Sequence, residues 1–210
     1  MRVLIVGAGA VGQVYGLALQ RGGAEVAFYV KPQHAEEARA GFALYRLNRG
    51  KSPEPIRFDG FGVLTSIPEV RAQPWDQVWL AVSTPALRGS WFDEIAAATG
   101  NATVVCLQPG PEGQGRATQA AGNRVVTGII TFIAYQAPLP RETRIPSPGI
   151  AFWFPPGPSP FAGPDSGPNA GPNSGPNSRC RAVVDALIRG GCPAKAVREV
   201  DTSEIGRAHV

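Results

Sequence analysis

The stretch MRVLIVGAGAVGQVYGLALQRGGAEVAFYV constrains the fold of this chain more than any other. Residues 2–6 are a short apolar run. It breaks into Gly7, Gly9 and Gly12, and apolar residues then recur at helical spacing through residues 10–22. Residues 24–30 return to β-branched and aromatic side chains, so a strand, a helix and a second strand follow one another as a βαβ unit. The glycines have separate physical roles there. Gly7 allows the tight turn out of the strand, Gly9 lets the backbone approach a ligand with no Cβ in the way, and Gly12 lets the helix pack closely on the strand. Free N–H groups and the helix dipole then favour an anion at the helix N-terminus. In this context the motif predicts a dinucleotide pyrophosphate site; alone it would be a weak signal.

The rest of the chain continues the alternation. Residues 32–41 read as a short helix, FALYRL and PIRFDGFGVLTS as strand or hairpin pieces, and QVWLAVS as a buried strand. PALRGSWFDEIAAATG reads as a helix opened by Pro85 and closed by Gly100, ATVVCLQ as the next strand, and RVVTGIITFIAYQ as a segment that continues the sheet and leaves it. This order predicts an α/β fold with a doubly wound, mostly parallel sheet covered on both faces. From Pro138 the chain is proline-rich with one aromatic strand candidate, IAFWF. Residues 163–178 are four tandem Gly-Pro-polar-small units, a composition that cannot pack a core and reads as a solvated, mobile loop. RCRAVVDALIRGG and PAKAVREV close the pattern as a last helix and a last strand.

The end of the second strand bears on which dinucleotide would bind. An NAD site usually places Asp or Glu about 20 residues beyond the glycines to hold the ribose hydroxyls, whereas an NADP site supplies a cation. Here that position is Lys31, and Glu25 lies at the wrong end of the strand. Lys31 also fits a solvated charge at a strand end, but the absence of an acid favours NADP(H).

Composition narrows the classes. The formal charge of +4 comes from arginines scattered along 210 residues rather than from a basic cluster, which argues against a nucleic-acid partner. No window is apolar and long enough for a membrane span, and no signal peptide precedes the first strand, so a cytoplasmic protein is expected. Cys106, Cys180 and Cys192 show neither CxxC nor Cys/His spacing, which argues for buried thiols rather than a disulfide framework or a metal site.

The glycine-rich opening, the buried strand at VWLAVST, the turn LQPGPEG and the stretch TGIITFIAYQAP together resemble the ketopantoate reductase family of NADPH-dependent 2-oxoacid reductases, whose substrate name is also written 2-dehydropantoate. The resemblance runs in element order from Met1 to about Ser203. It implies a Rossmann-type N-terminal domain over residues 1–203 and a helical C-terminal domain that the sequence lacks, with the active site between the two. It further implies that Gly7, Gly9 and Gly12, with the neighbouring backbone of Ala8, Ala10 and Val11, bind pyrophosphate, and that Lys31 replaces an arginine that binds the 2′-phosphate. A small 2-oxoacid is the implied substrate, with a homodimer left open.

Two departures stand out. The family carries a lysine where this chain has Ser83, and an asparagine where it has Pro109. Ser83, Thr84 and Gln108 remain as polar groups at those strand ends, and Ser83 and Gln108 are counted as cofactor contacts, though each also fits an ordinary turn or cap residue. Reducing a ketone builds negative charge on its oxygen, which needs an acid or a cation. Lys51, Lys195 and His34 are the few candidates, and His34 is placed beside the adenine end. In the family the catalytic lysine stands on the first helix of the C-terminal domain, so the catalytic residues are expected beyond residue 210. The closing EIGRAHV is what the start of a common sequencing-library adapter encodes, so residues 204–210 are expected to be an artefactual tail in which His209 has no function. The leading reading is the cofactor domain of a reductase, inactive by itself. The alternative is a non-catalytic NADP(H)-binding module, and a methyltransferase-like nucleotide fold ranks third because no acid is available to hold an adenosine ribose.

Overall fold

The structure, a computed structural model, describes residues 1–47, 53–108, 110–163 and 177–200. Lys51, Pro109, residues 164–176 of the Gly-Pro repeat and the closing residues 201–210 lie outside the described residues.

The opening apolar run forms β1 (Arg2–Val6), the glycines lead into α1 (Ala10–Arg21), and β2 (Glu25–Tyr29) returns alongside β1 in parallel. A short 3-10 turn (Pro32–His34) runs straight into α2 (Ala35–Arg39). β3 (Phe42–Arg46), β4 (Pro55–Phe58) and β5 (Gly62–Leu64) follow, then α3 (Ile67–Arg71) and β6 (Gln77–Leu80). The expected helix at residues 85–100 is split. A 3-10 turn (Thr84–Arg88) is followed by extended backbone at Gly89, and α4 begins only at Trp91 (Trp91–Ala98). β7 (Thr103–Cys106), α5 (Pro111–Ala121), β8 (Val125–Gly128), β9 (Ile133–Ala137), β10 (Gly149–Trp153), β11 (Ser159–Ala162), α6 (Ser178–Arg189) and β12 (Ala194–Ala196) complete the order.

Eight strands form one sheet in the order β12-β11-β8-β7-β6-β1-β2-β5. The six strands from β8 to β5 are all parallel, and β11 joins β8 antiparallel, so the expected mostly parallel, doubly wound sheet is present. Strand alternation sends side chains to two cores. Val3, Ile5, Trp79 and Val105 face α1 and α6, while Leu4, Val6, Val78, Leu80, Val104 and Cys106 face α3, α4 and α5. At β1 the order reverses: the chain first builds outward through β2 and β5, then crosses back to β6 on the other side. Ligands of open α/β sheets bind at such a switch point, beyond the carboxyl ends of the strands.

A second sheet, β4-β3-β10-β9, is a feature that sequence reasoning did not separate from the first. It packs on the outer side of α1 through Phe42, Leu44, Phe58, Ile150 and Phe152. Phe28 of β2 meets Phe42, Phe58 and Phe61 edge-on at centroid distances of 4.9–5.9 Å, which ties the two sheets together. α1 is therefore buried nearly all round, from Val14 to Leu19.

Candidate functional site

Gly7 stands at the carboxyl end of β1 with φ +97°, in the left-handed region that favours glycine. A Cβ there would also come within 2.8 Å of the Ala81 carbonyl oxygen and 2.9 Å of Val82 at the end of β6. A Cβ at Gly12 would meet the Gly7 carbonyl oxygen at 2.2 Å, so close helix-on-strand packing does require glycine there. Gly9 differs. A Cβ would meet no protein atom within 4 Å, and Gly9 opens onto a cavity, so a side chain there would intrude only on a ligand.

The N-terminus of α1 has no side-chain cap and no acidic residue in its first turn. The N–H groups of Ala10, Val11 and Gly12 lie in that first turn, where a helix leaves its donors without intrahelical partners. Gln13 braces the turn by donating its side-chain amide to the Ala8 carbonyl at 2.8 Å. Sequence reasoning gave Gln13 no role, although it follows the last glycine directly.

The cavity holds about 730 Å³, within the ~300–1,000 Å³ usual for small-molecule sites. Its walls come from three strand ends: Gly7, Ala8 and Gly9 after β1, Tyr29 to Pro32 after β2, and Val82 and Ala86 after β6. Thr65, Trp91, His34, Glu37 and Phe42 complete the lining. Trp91 donates its indole N–H to the Ala86 carbonyl at 2.8 Å, which leaves the ring's apolar surface for the cavity. That wall is braced from behind, where Arg116 grips both oxygens of Asp93 at 2.7 and 2.8 Å and holds its carboxyl below the usual range. Burial, with Glu94 and Glu69 nearby, pushes the Tyr29 phenol up, so it stays neutral.

Lys31 lines the cavity with an exposed side chain and has no ion pair with a described residue. Glu25 stands at the opposite end of β2 and pairs with Arg2 at 2.9 Å, so it cannot serve a ribose at the carboxyl end. Of the expected contacts, Ala10, Val11 and Gly12 of the first turn of α1 do not themselves line the cavity, and neither do Ser83 and Gln108. Gln108 is buried; its side-chain NH2 donates to the carbonyls of Leu80 and Val82 at 2.8 and 2.7 Å, and the Cys106 thiol donates to its side-chain oxygen. It thus fixes the end of β6. Ser83 is exposed and only starts the 3-10 turn, its carbonyl accepting from the Ala86 N–H. Tyr29, Glu37, Thr65 and Trp91 line the cavity without having been singled out. A three-residue spacing running on from Lys31 was the available signal for Glu37, but nothing local marks Trp91.

The acid candidates are dispersed. His34 lines the cavity, as Lys31 does. Lys195 sits on β12, five strands from β1, which is roughly 24 Å at ~4.8 Å per strand. All three cysteines are buried, and burial pushes the Cys192 thiol up to about 12. Among the described residues no group of three or more His, Cys, Asp or Glu could hold a metal ion, and no helix is long and apolar enough to cross a membrane.

A parallel sheet whose switch point carries a glycine turn, a bare helix N-terminus and an adjoining cavity defines a Rossmann-type nucleotide-binding fold. The family described as ketopantoate reductase PanE/ApbA matches residues 3–149, more than half of the chain, and the chain belongs to it. No curated protein sequence matches. Among solved structures, the chain is similar to 2-dehydropantoate 2-reductase from Geobacter metallireducens GS-15, at 20% identity and TM-score 0.65 over 94% of this chain and 58% of that one. The enzyme of that name from Methylococcus capsulatus gives 16% identity and TM-score 0.70 over 99% and 60%. D-mandelate dehydrogenase, solved with NADH and anilino(oxo)acetate, gives 16% and 0.64 over 94% and 57%. At these identities the likeness shows the fold, and the chain spans about three fifths of those structures.

Proposed function

We propose that this chain is the NADP(H)-binding part of a reductase acting on a small 2-oxoacid such as ketopantoate. The observation that carries the reading is the cavity at the switch point, walled by Gly7 and Gly9 on one side and by Lys31 on another. The residues fit the cofactor: a bare first turn suits the pyrophosphate, and position 9 is open where a Cβ would intrude. Membership of the ketopantoate reductase family supports the reaction class, and NADH in the structure of D-mandelate dehydrogenase supports a nicotinamide dinucleotide.

In this reading Gly7 to Gly12 hold the pyrophosphate with backbone N–H groups, and Lys31 faces the 2′-phosphate of the adenosine ribose. Val82, Ala86 and Trp91 give the adenine an apolar wall. The bound nicotinamide supplies the hydride. Gln108 acts indirectly by holding the end of β6, and Ser83 stays a candidate contact for the nicotinamide half.

Lys31→Glu tests the assignment. A charge-assisted contact with an exposed partner contributes on the order of 1 to 3 kcal/mol, so the substitution should narrow or reverse a preference for NADPH over NADH. Fluorescence titration of both nucleotides measures it. Equal affinity of the wild type for the two would sink the NADP(H) assignment.

A further inference from the structure

Lys31 precedes the 3-10 turn in extended backbone, His34 ends that turn and Glu37 lies in α2, at three-residue intervals. All three line the cavity, together with Pro32 and Ala38, whereas Gln33 and Glu36 do not. The backbone N–H of His34 bonds the Lys31 carbonyl at 2.9 Å, which sets the imidazole one turn beyond the lysine. A cation, an imidazole and a carboxylate thus stand in a row on the wall assigned to the adenosine ribose.

We infer that this row, and not Lys31 alone, sets the choice between NADPH and NADH, with His34 as a second phosphate contact and Glu37 as the group that opposes the phosphate and accepts from ribose hydroxyls. The inference rests on the nucleotide reading of the cavity. The two dinucleotides differ only by the 2′-phosphate, and a carboxylate repels that dianion while it can accept from a free 2′-hydroxyl. The His34 imidazole can donate a hydrogen bond to the phosphate, which a carboxylate cannot. Few other charges face it. From β2 there is Tyr29, with Glu69 of α3 and Glu94 of α4 acting on it. From β5 and the following turn, Gly62 to Leu64 and Thr65 carry no charge, and Arg88 of the 84–88 turn is tied to Glu112 at 2.8 Å. Preference for NADPH should therefore fall in a variant without the imidazole.

The test is nucleotide affinity, read by fluorescence titration of NADPH and NADH for the wild type, His34→Gln and Glu37→Gln. All three side chains are exposed, so both variants should keep the fold, which circular dichroism checks. The ratio of NADPH to NADH affinity in the wild type should exceed that of His34→Gln by about threefold. Glu37→Gln should tighten NADPH about threefold without tightening NADH. Ratios in both variants within a factor of about 1.5 of the wild type would overturn the inference and leave the nucleotide site standing. Failure of the wild type to bind either nucleotide would overturn the nucleotide reading itself, and the inference with it.

Discussion

At the scale of single residues, three glycines in one motif have different obligations, and these separate in experiment. A Cβ at Gly12 meets a backbone oxygen at 2.2 Å that no rotamer change can relieve, so Gly12→Ala must move α1 off β1. Overpacking of that kind costs about 1–3 kcal/mol, and the melting temperature should fall together with nucleotide affinity. Gly9→Ala meets no protein atom within 4 Å, so its melting temperature should match the wild type while NADPH affinity drops. A Gly9→Ala protein that binds NADPH unchanged would show that the ligand passes elsewhere. Gly7, Gly9, Gly12 and Lys31 were legible in the sequence because each obligation is local: a turn, a close approach, a strand end. Gln108 was not. Its place at a strand end suggested a ligand contact, but whether a side chain turns outward or folds back onto a neighbouring strand depends on β6, which lies 28 residues earlier at Leu80.

At the scale of elements, α6 shows how a helix can be held beside a long insertion. Asn177 accepts from the Cys180 N–H at 2.9 Å and caps the helix, and its side chain packs against Gly163, where a Cβ would come within 2.5 Å of it. The two ends of segment 164–176 thus meet. Asn177→Ala should cost about 1 kcal/mol of stability. Removing two of the four Gly-Pro units should change little, because halving a loop alters its closure entropy by only about 0.6 kcal/mol. Thermal unfolding of the two variants measures both, and a large loss on shortening would mean that the repeats pack on the domain. Other elements were hidden from sequence reasoning for identifiable reasons. α5 buries Gly113, Ala117 and Ala121, four residues apart, against the sheet, but so small a face carries almost no hydrophobic signal and begins with Pro111. β11 contains Pro160, which argues against a strand by composition although it pairs with β12. β3, β4 and β10 were visible as strands. Their assignment to a second sheet was not, since strand partners are chosen by contacts such as Phe28 with Phe42 that no local window contains.

At the scale of the whole molecule, the candidate acids are dispersed: His34 lines the cavity with Lys31, in the region the proposal gives to the adenosine ribose, whereas Lys195 stands five strands from β1. The 210-residue chain should therefore bind NADPH yet not oxidise it in the presence of 2-oxoacids, ketopantoate included. Nicotinamide absorbance follows turnover while fluorescence follows binding. Steady ketone-dependent oxidation that is lost in Gly9→Asp would mean that an acid within this chain has been overlooked. The embedding of α1 between two sheets bears on how the binding step would look in a calorimeter. A helix buried from Val14 to Leu19 is packed in place by the fold itself, with no ligand needed to order it. Its conformational entropy is surrendered during folding, so the pyrophosphate would meet donors that are aimed in advance. The entropy change on association would then report the nucleotide's own ordering and released water, with little contribution from the polypeptide.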